Sequence, residues 1–321
     1  MVRHLRPSWD LALATTFVIG SGWMLFPSLV YPGLIGSHAV LYTAAAQTIL
    51  TGADPWSVGP PATIFAGPPT MPLTFIGFVS APDIVIRVSW ITIDVLVAVW
   101  AIRRLGLPSY WIAFPPLLQT IVLGHPELLV LGLLVAGGNV SGLAIIVKPY
   151  AVFPLLAERR WGALALAVAV VLVTAPFLPW GRFFEELPTI IGTIVRQNNG
   201  DSTFGDPIPL SIAVVALLSL GLRRALWLAV PVIWPYAQPN YKVMTVPALA
   251  PVLAIAWAIP IPGMTFTGVV VLAVLVTINR LRPLPDWLQR GIREFQADRP
   301  VAEHRAAVTP SLPPAAPAGA A

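Results

Sequence analysis

The chain is a succession of apolar runs separated by short polar or proline-bearing breaks. The first run, about Leu11 to Leu29, has roughly the length that crosses a bilayer and follows the basic start MVRHLRPSWD. No small-x-small cleavage site follows it, which predicts an uncleaved span with its N-terminus inside. From Tyr31 to Pro69 the chain is nearly uncharged and rich in Gly, Pro, Ser and Thr. Within it HAVLYTAAAQTIL predicts a short amphipathic helix at the outer surface, ended by TGADPW. Met71 to Ser80, bracketed by prolines, is too short to span and predicts a tilted or re-entrant half-helix. A full span is expected from about Ile84 to Ile102, closed by Arg103-Arg104.

Shorter runs follow at Trp111 to Leu123, Leu128 to Val135 and Ser141 to Leu156, separated by GHPE and GGN. The last is interrupted by Lys148-Pro149 and closed by Arg159-Arg160. After a long run from Trp161 to Leu178, residues Trp180 to Pro207 read as the largest polar loop. Further spans are expected at Ile208 to Leu222, closed by Arg223-Arg224, then Ala225 to Trp234, Val243 to Ile259 and Met264 to Ile278. The total is about nine to eleven membrane segments. No internal repeat is visible.

Three regions follow: a transmembrane part over 1–283, an interfacial helix within 284–297, and a Pro- and Ala-rich tail over 298–321 expected to be disordered. In the interfacial helix Trp287, Leu288, Ile292 and Phe295 are expected against lipid and the arginines toward water.

Composition sharpens this picture. Hydrophobic residues make up 57% of the 321, charged residues 10%, and the mean hydropathy is +0.80. A soluble domain carries roughly a quarter charged residues, so a water-soluble globule is excluded. The net charge of +5 comes from arginines placed singly or in pairs between apolar runs. That pattern sets membrane orientation and is no nucleic-acid surface. Cysteine is absent, which removes disulfides, thiolate metal sites and cysteine nucleophiles, and four histidines do not suggest a His-rich metal cage. No cofactor is expected. The 35 prolines predict broken helices around an internal cavity, because a freed carbonyl at membrane depth must be satisfied by protein or water. The Ala, Pro and Arg richness suggests a bacterial cell-membrane protein.

With the arginine pairs cytoplasmic, the stretches His38 to Asp54, His125 to Glu127, Glu185 to Asp206 and Gln238 to Tyr241 fall outside, provided that neither 71–80 nor the Lys148-Pro149 hairpin crosses fully. In that count the Arg-bearing C-terminal segment comes out on the external side.

Lys148 carries the sharpest chemical signal. It is the one charge in LAIIVKPYAVFPLL, and a cation at membrane depth demands an anionic partner, either a carboxylate or a bound phosphate. Pro149 breaks the helix beside it. The plainer reading is an ion-paired or snorkelling lysine. Asp94, inside WITIDVLVAVW, reads first as a polar lock between helices and second as a proton or sugar contact. Asp54 and His38 flank the outer helix. Either can serve as a general base if that helix roofs a cavity, although Asp54 before Pro55 also suits a turn cap. Glu127 opens an apolar helix, where it offsets the helix dipole. Most acids of the 180–207 stretch are expected to be solvated, and most tryptophans to anchor segment ends at the interface.

In order, YTAAAQTILTGADPW, GPPTMPLTFIGFVSAP, LGHPELLVLGLLV, GLAIIVKPYAVFPLLAERRW and WPYAQPNYKVMTVPAL resemble glycosyltransferase family 87 over roughly residues 10 to 280. These are membrane mannosyltransferases of the GT-C superfamily that use polyprenyl-phosphate mannose. The resemblance implies an all-α, polytopic transmembrane helical bundle of GT-C type with its active site at the outer face. It implies a polyprenyl-phosphate sugar donor, a glycan or glycolipid acceptor and membrane lipids as partners. Lys148, with Arg196, would hold the donor phosphate, and His125, Glu127, Asn240 and Tyr241 would line the substrate cavity. The family has an acidic base just before the amphipathic helix; here that stretch reads GSHAVLY, with Ser37 and His38. Where the family has Gly-Gln, GHPE places His125. Either His38 or Asp54 takes the role of base, or the chain is a divergent, inactive relative. A non-enzymatic transporter or assembly partner is the reading outside this class.

Overall fold

The computed structural model describes residues 7–58, 65–197, 202–235 and 237–295, and among these every regular element is helical. The α-helices are α1 (Pro7–Val30), α2 (Ser37–Leu50), α3 (Asp83–Leu105), α4 (Pro115–Leu123), α5 (Glu127–Ala136), α6 (Leu143–Val147), α7 (Val152–Ala157), α8 (Trp161–Thr174), α9 (Trp180–Gln197), α10 (Pro207–Ser219), α11 (Leu222–Ile233), α12 (Pro251–Ala258), α13 (Met264–Leu281) and α14 (Asp286–Ile292). Tight 3-10 stretches join them, the longest being Met71–Phe78 and Pro239–Ala248. Among the described residues three helices are long and apolar enough to cross a membrane: Trp9–Val30, Asp83–Leu105 and Met264–Leu281. α4 with α5 counts as a fourth only if their 117° bend is ignored. These lengths and compositions are compatible with a membrane protein.

Proline explains most interruptions. The run Val243 to Ile259, expected as one span, is instead a 3-10 stretch through Pro247 followed by α12, which starts at Pro251. Each proline removes a backbone donor, so the straight α-ladder cannot continue. The expected polar loop at 180–207 is also corrected, because its first part is α9. Trp180, Phe183, Phe184, Leu187, Ile190 and Ile191 recur at helical spacing, and Phe183 and Ile190 are buried.

Polar contacts gather the arginine pairs at one end. Arg223 meets Glu158 at 2.7 Å and Glu294 at 2.9 Å, and Arg224 donates to the Ile292 carbonyl. Trp9 at the start of α1 donates to the Trp287 carbonyl, and Tyr110, soon after Arg103-Arg104, donates to Asp10. The Arg-bearing segment around α14 therefore lies at the same end as the start of α1, which corrects the expectation of opposite sides. The expected lipid contact of Ile292 and Phe295 is corrected too: Ile292 is buried, and Phe295 packs edge-on against Trp111, while Trp287 is exposed. The tail over 298–321 lies outside the described residues.

Two hairpins rise from this arginine end. The first ascends through α4, turns at Gly124-His125-Pro126 and descends as α5. The second climbs through α6, turns at Lys148-Pro149 and returns as α7. Its two feet are adjacent, because a Cβ at Gly142 would meet the Ala163 carbonyl just beyond α7, and Arg160 ties that foot to α5 by donating to the Leu134 carbonyl. The opposite end carries α2, the 3-10 stretch Met71–Phe78 and α9. There Trp56 packs on Phe183, and Phe75 lies tilted against Trp90 with ring centroids 4.0 Å apart.

Candidate functional site

The tips of the two hairpins meet, and local sequence dictates their shapes. α4 ends on Gly124 in the left-handed region (φ 73°), with the amides of Gly124 and His125 both donating to Thr120. A Cβ at Gly124 would also lie 3.2 Å from Ala39 of α2, so glycine permits both the turn and the close approach. At the second tip Lys148 is extended (φ −142°, ψ 114°), as a residue before proline prefers, while its amide still closes α6 on Ala144.

Glu127, in the first turn of α5, has no exposed surface. Its Oε1 is 3.3 Å from Lys148 Nζ and accepts from Tyr150 Oη at 3.0 Å. Its Oε2 has no hydrogen-bond partner among the described residues and lies 3.6 Å from His125 Nδ1. The N-terminal end of α5 adds favourable dipole to the carboxylate. The His125 ring stacks on His38 of α2 with centroids 3.7 Å apart. Lys148 Nζ stands 5.8 Å from the Tyr42 ring and 5.7 Å from the Tyr241 ring, and Tyr241 lies against Tyr150 at 4.6 Å. The result is a chain of polar groups, buried His125–Glu127–Lys148 continued by the partly buried His38, walled by three tyrosines and roofed by α2.

His38 lies on α2, outside the long apolar helices. Burial first, then the His125 ring and the Lys148 charge, hold its imidazole well below the usual histidine range, opposed by the Glu127 carboxylate. Its Nδ1 is buried without a hydrogen-bond partner among the described residues. His38 is therefore neutral at pH 7 and able to accept a proton.

The other expected residues are placed as follows. Asp54 is not part of the cluster. It caps the Trp56 amide at 2.9 Å and faces Arg182 at 3.7 Å, so the turn-cap reading is realised. His38 and Asp54 flank opposite ends of α2, whose fourteen residues span about 20 Å, so the two do not serve one reacting atom. Asn240 is buried and its Nδ2 has no partner among the described residues. The side chain of Arg196 lies outside the described residues, as does Asp201. Glu185 and Glu186 pair with Arg182, and Asp206 caps Ile208, while Glu185 and Asp206 remain exposed to solvent as expected. Asp94 is fully buried within electrostatic reach of Glu127, but neither oxygen has a hydrogen-bond partner among the described residues, so no polar lock forms.

Tyr150 and Tyr42 were missed by the sequence reading. One usable signal was Tyr150's position directly after Lys148-Pro149. The other was the scarcity of tyrosine, six in the whole chain. Among the described residues no set of three His, Asp or Glu side chains is arranged to hold a metal ion. A groove of about 510 Å³ between α10 and α13, lined by residues such as Ile212, Val215 and Val274, shares no residue with the cluster. Comparison with family models, with curated proteins and with solved structures gave no match.

Proposed function

We propose that this chain is a polytopic membrane glycosyltransferase of GT-C type. It would transfer a sugar, mannose in the first instance, from a polyprenyl-phosphate donor to a glycan or glycolipid acceptor. The observation that carries the reading is the buried Lys148 ammonium at a helix break, enclosed by tyrosines and lying beneath α2. The order of the five sequence stretches given above supports it as well.

In this reading the arginine end is cytoplasmic and α2 and α9 face outward. Lys148 steadies the phosphate of the donor. His38 takes the proton of the acceptor hydroxyl. The hydroxyl oxygen bonds to the anomeric carbon, the bond from that carbon to the phosphate oxygen breaks, and the electron pair leaves with the lipid phosphate. Between the two candidate bases the geometry favours His38, because Asp54 is committed to Trp56 and Arg182.

The test uses purified protein, polyprenyl-phosphate mannose and a panel of acceptors. Transfer is expected to be abolished in Lys148→Ala and to fall about 10²–10⁴-fold in His38→Gln, the usual span for a general base. Asp54→Asn is expected to lose less than His38→Gln. Unchanged turnover in both Lys148→Ala and His38→Gln would overturn the assignment.

One observation favours a second reading, a non-catalytic carrier of lipid-linked sugar. Asp94 is a buried carboxyl of α3 with no hydrogen-bond partner among the described residues, and buried ionisable groups beside broken helices also suit transport. Movement of labelled donor across proteoliposomes without sugar transfer would decide for it.

A further inference from the structure

Lys148 is not a free cation waiting for an anion. Its ammonium already faces the Glu127 carboxylate at 3.3 Å, with both side chains nearly or wholly shut off from solvent. An arriving phosphodiester brings one more negative charge into a space that holds Glu127 and, close by, Asp94. A buried anion without compensation is strongly disfavoured. Either the phosphate stays away from Lys148, or Glu127 ceases to be an anion.

The geometry favours the second course. Glu127 presents two different oxygens. Oε1 holds Lys148 and Tyr150, while Oε2 has no hydrogen bond among the described residues and looks toward His125 Nδ1 at 3.6 Å. His125 stacks on His38, which lies on α2 and is only partly buried. An oxygen with a vacant acceptor site among the described residues therefore lies beside the His125 imidazole, on the α2 side of the cluster.

The groups around Glu127 are few. Lys148 and Tyr150 come from the second tip, His125 from its own turn, His38 and Tyr42 from α2 and Asp94 from α3. Tyr241 and the buried Lys242 come from Pro239–Ala248. α4 and α6, which also pack on α5, contribute no ionisable side chain.

We infer that anion binding at Lys148 is an ion-pair exchange, in which a phosphodiester monoanion displaces Glu127 from the ammonium and Glu127 takes up one proton. This rests on the donor reading of Lys148 given above and adds a regulation of that site by pH. The balance is simple: one phosphodiester and one proton enter, no covalent bond to carbon changes, and the charge of the cluster is preserved.

The experiment is calorimetric binding of polyprenyl-phosphate mannose to the detergent-purified full chain, in buffers of differing ionisation enthalpy. Dimethyl phosphate serves as a lipid-free phosphodiester of the same charge. About one proton is expected to be absorbed per bound lipid, and affinity is expected to weaken as pH rises, by up to about tenfold per pH unit. In Glu127→Gln the proton uptake is expected to vanish and the affinity to change less than about twofold per unit. Tight lipid binding with no proton absorbed by the wild-type protein overturns the exchange while leaving the donor reading standing. No binding of either phosphodiester at any pH overturns both. Equal binding of the two probes supports the exchange but assigns the pocket to free phosphodiesters rather than to a lipid carrier. The wild-type measurement decides the matter even if Glu127→Gln does not fold.

Discussion

A single lysine in an apolar run announces that an opposite charge must be near, but not where. Its partner, Glu127, sits on a different hairpin and reads locally as an acid opening a helix, which it also is. The stacking of His38 on His125 was likewise hidden, because only the packing of α2 onto the first tip brings the rings together. Truncating one member of the ion pair strands the other, so Glu127→Leu is expected to cost about 3–5 kcal/mol. Joining it with Lys148→Met is expected to recover most of that loss. Thermal unfolding in detergent of the two singles and the double checks both outcomes, and additive losses would mean that the contact contributes nothing.

pH acts at the same scale. His38 is held below the ordinary imidazole range, so it remains neutral, and a base, down to more acidic pH than a free histidine. The turnover step in saturating donor is therefore expected to stay level through about pH 6.5 and to decline only below it. A kcat profile that already falls at about pH 7.5 on acidification would contradict this.

Among the elements, long uninterrupted runs were readable and broken ones were not. α3 and α13 lie close to where hydropathy puts them. α9 escaped notice because Arg182, Glu185 and Glu186 gave it the composition of a loop, although its apolar residues keep a helical period. The run Val243 to Ile259 reads as one span because hydropathy is blind to the donors that Pro247 and Pro251 lack, whereas its first part belongs to the 3-10 stretch Pro239–Ala248. Two glycines of α1 show how tightly these pieces are fitted. A methyl at Gly20 would strike the Ala258 carbonyl of α12, whereas one at Gly22 meets nothing within 4 Å. Gly20→Ala is expected to destabilise by about 1–3 kcal/mol, the usual cost of overpacking. Gly22→Ala is expected to be neutral or to stabilise by up to about 1 kcal/mol through helix propensity. Equal melting temperatures for the two variants would contradict this packing of α1 on α12.

Taken whole, the molecule separates its charges by end. The arginine pairs, α14 and the start of α1 share one end, while Asp54, Arg182 and Glu185 share the other. Counting spans from sequence separates the C-terminal segment from the start of α1, which the structure places at one end, because hairpins and crossings look alike in a hydropathy trace. Since the chain has no cysteine, single cysteines report sidedness cleanly. In intact cells, cysteines at Ser57 and Glu185 are expected to react with an impermeant maleimide. Those at Arg104 and Asp286 are expected to react only after the membrane is opened. Labelling of Asp286 and Ser57 from the same side would break the arrangement.

The meeting of the two hairpin tips has a consequence for biogenesis. During synthesis the Glu127 turn leaves the ribosome before the Lys148 turn, and neither is comfortable in hydrocarbon by itself. In the membrane reading proposed above, the earlier hairpin waits, unsealed, at the translocon until its counter-ion arrives. A nascent chain halted just short of Lys148 should therefore hold its GHPE turn within reach of water, and extension by a few more residues should bury it.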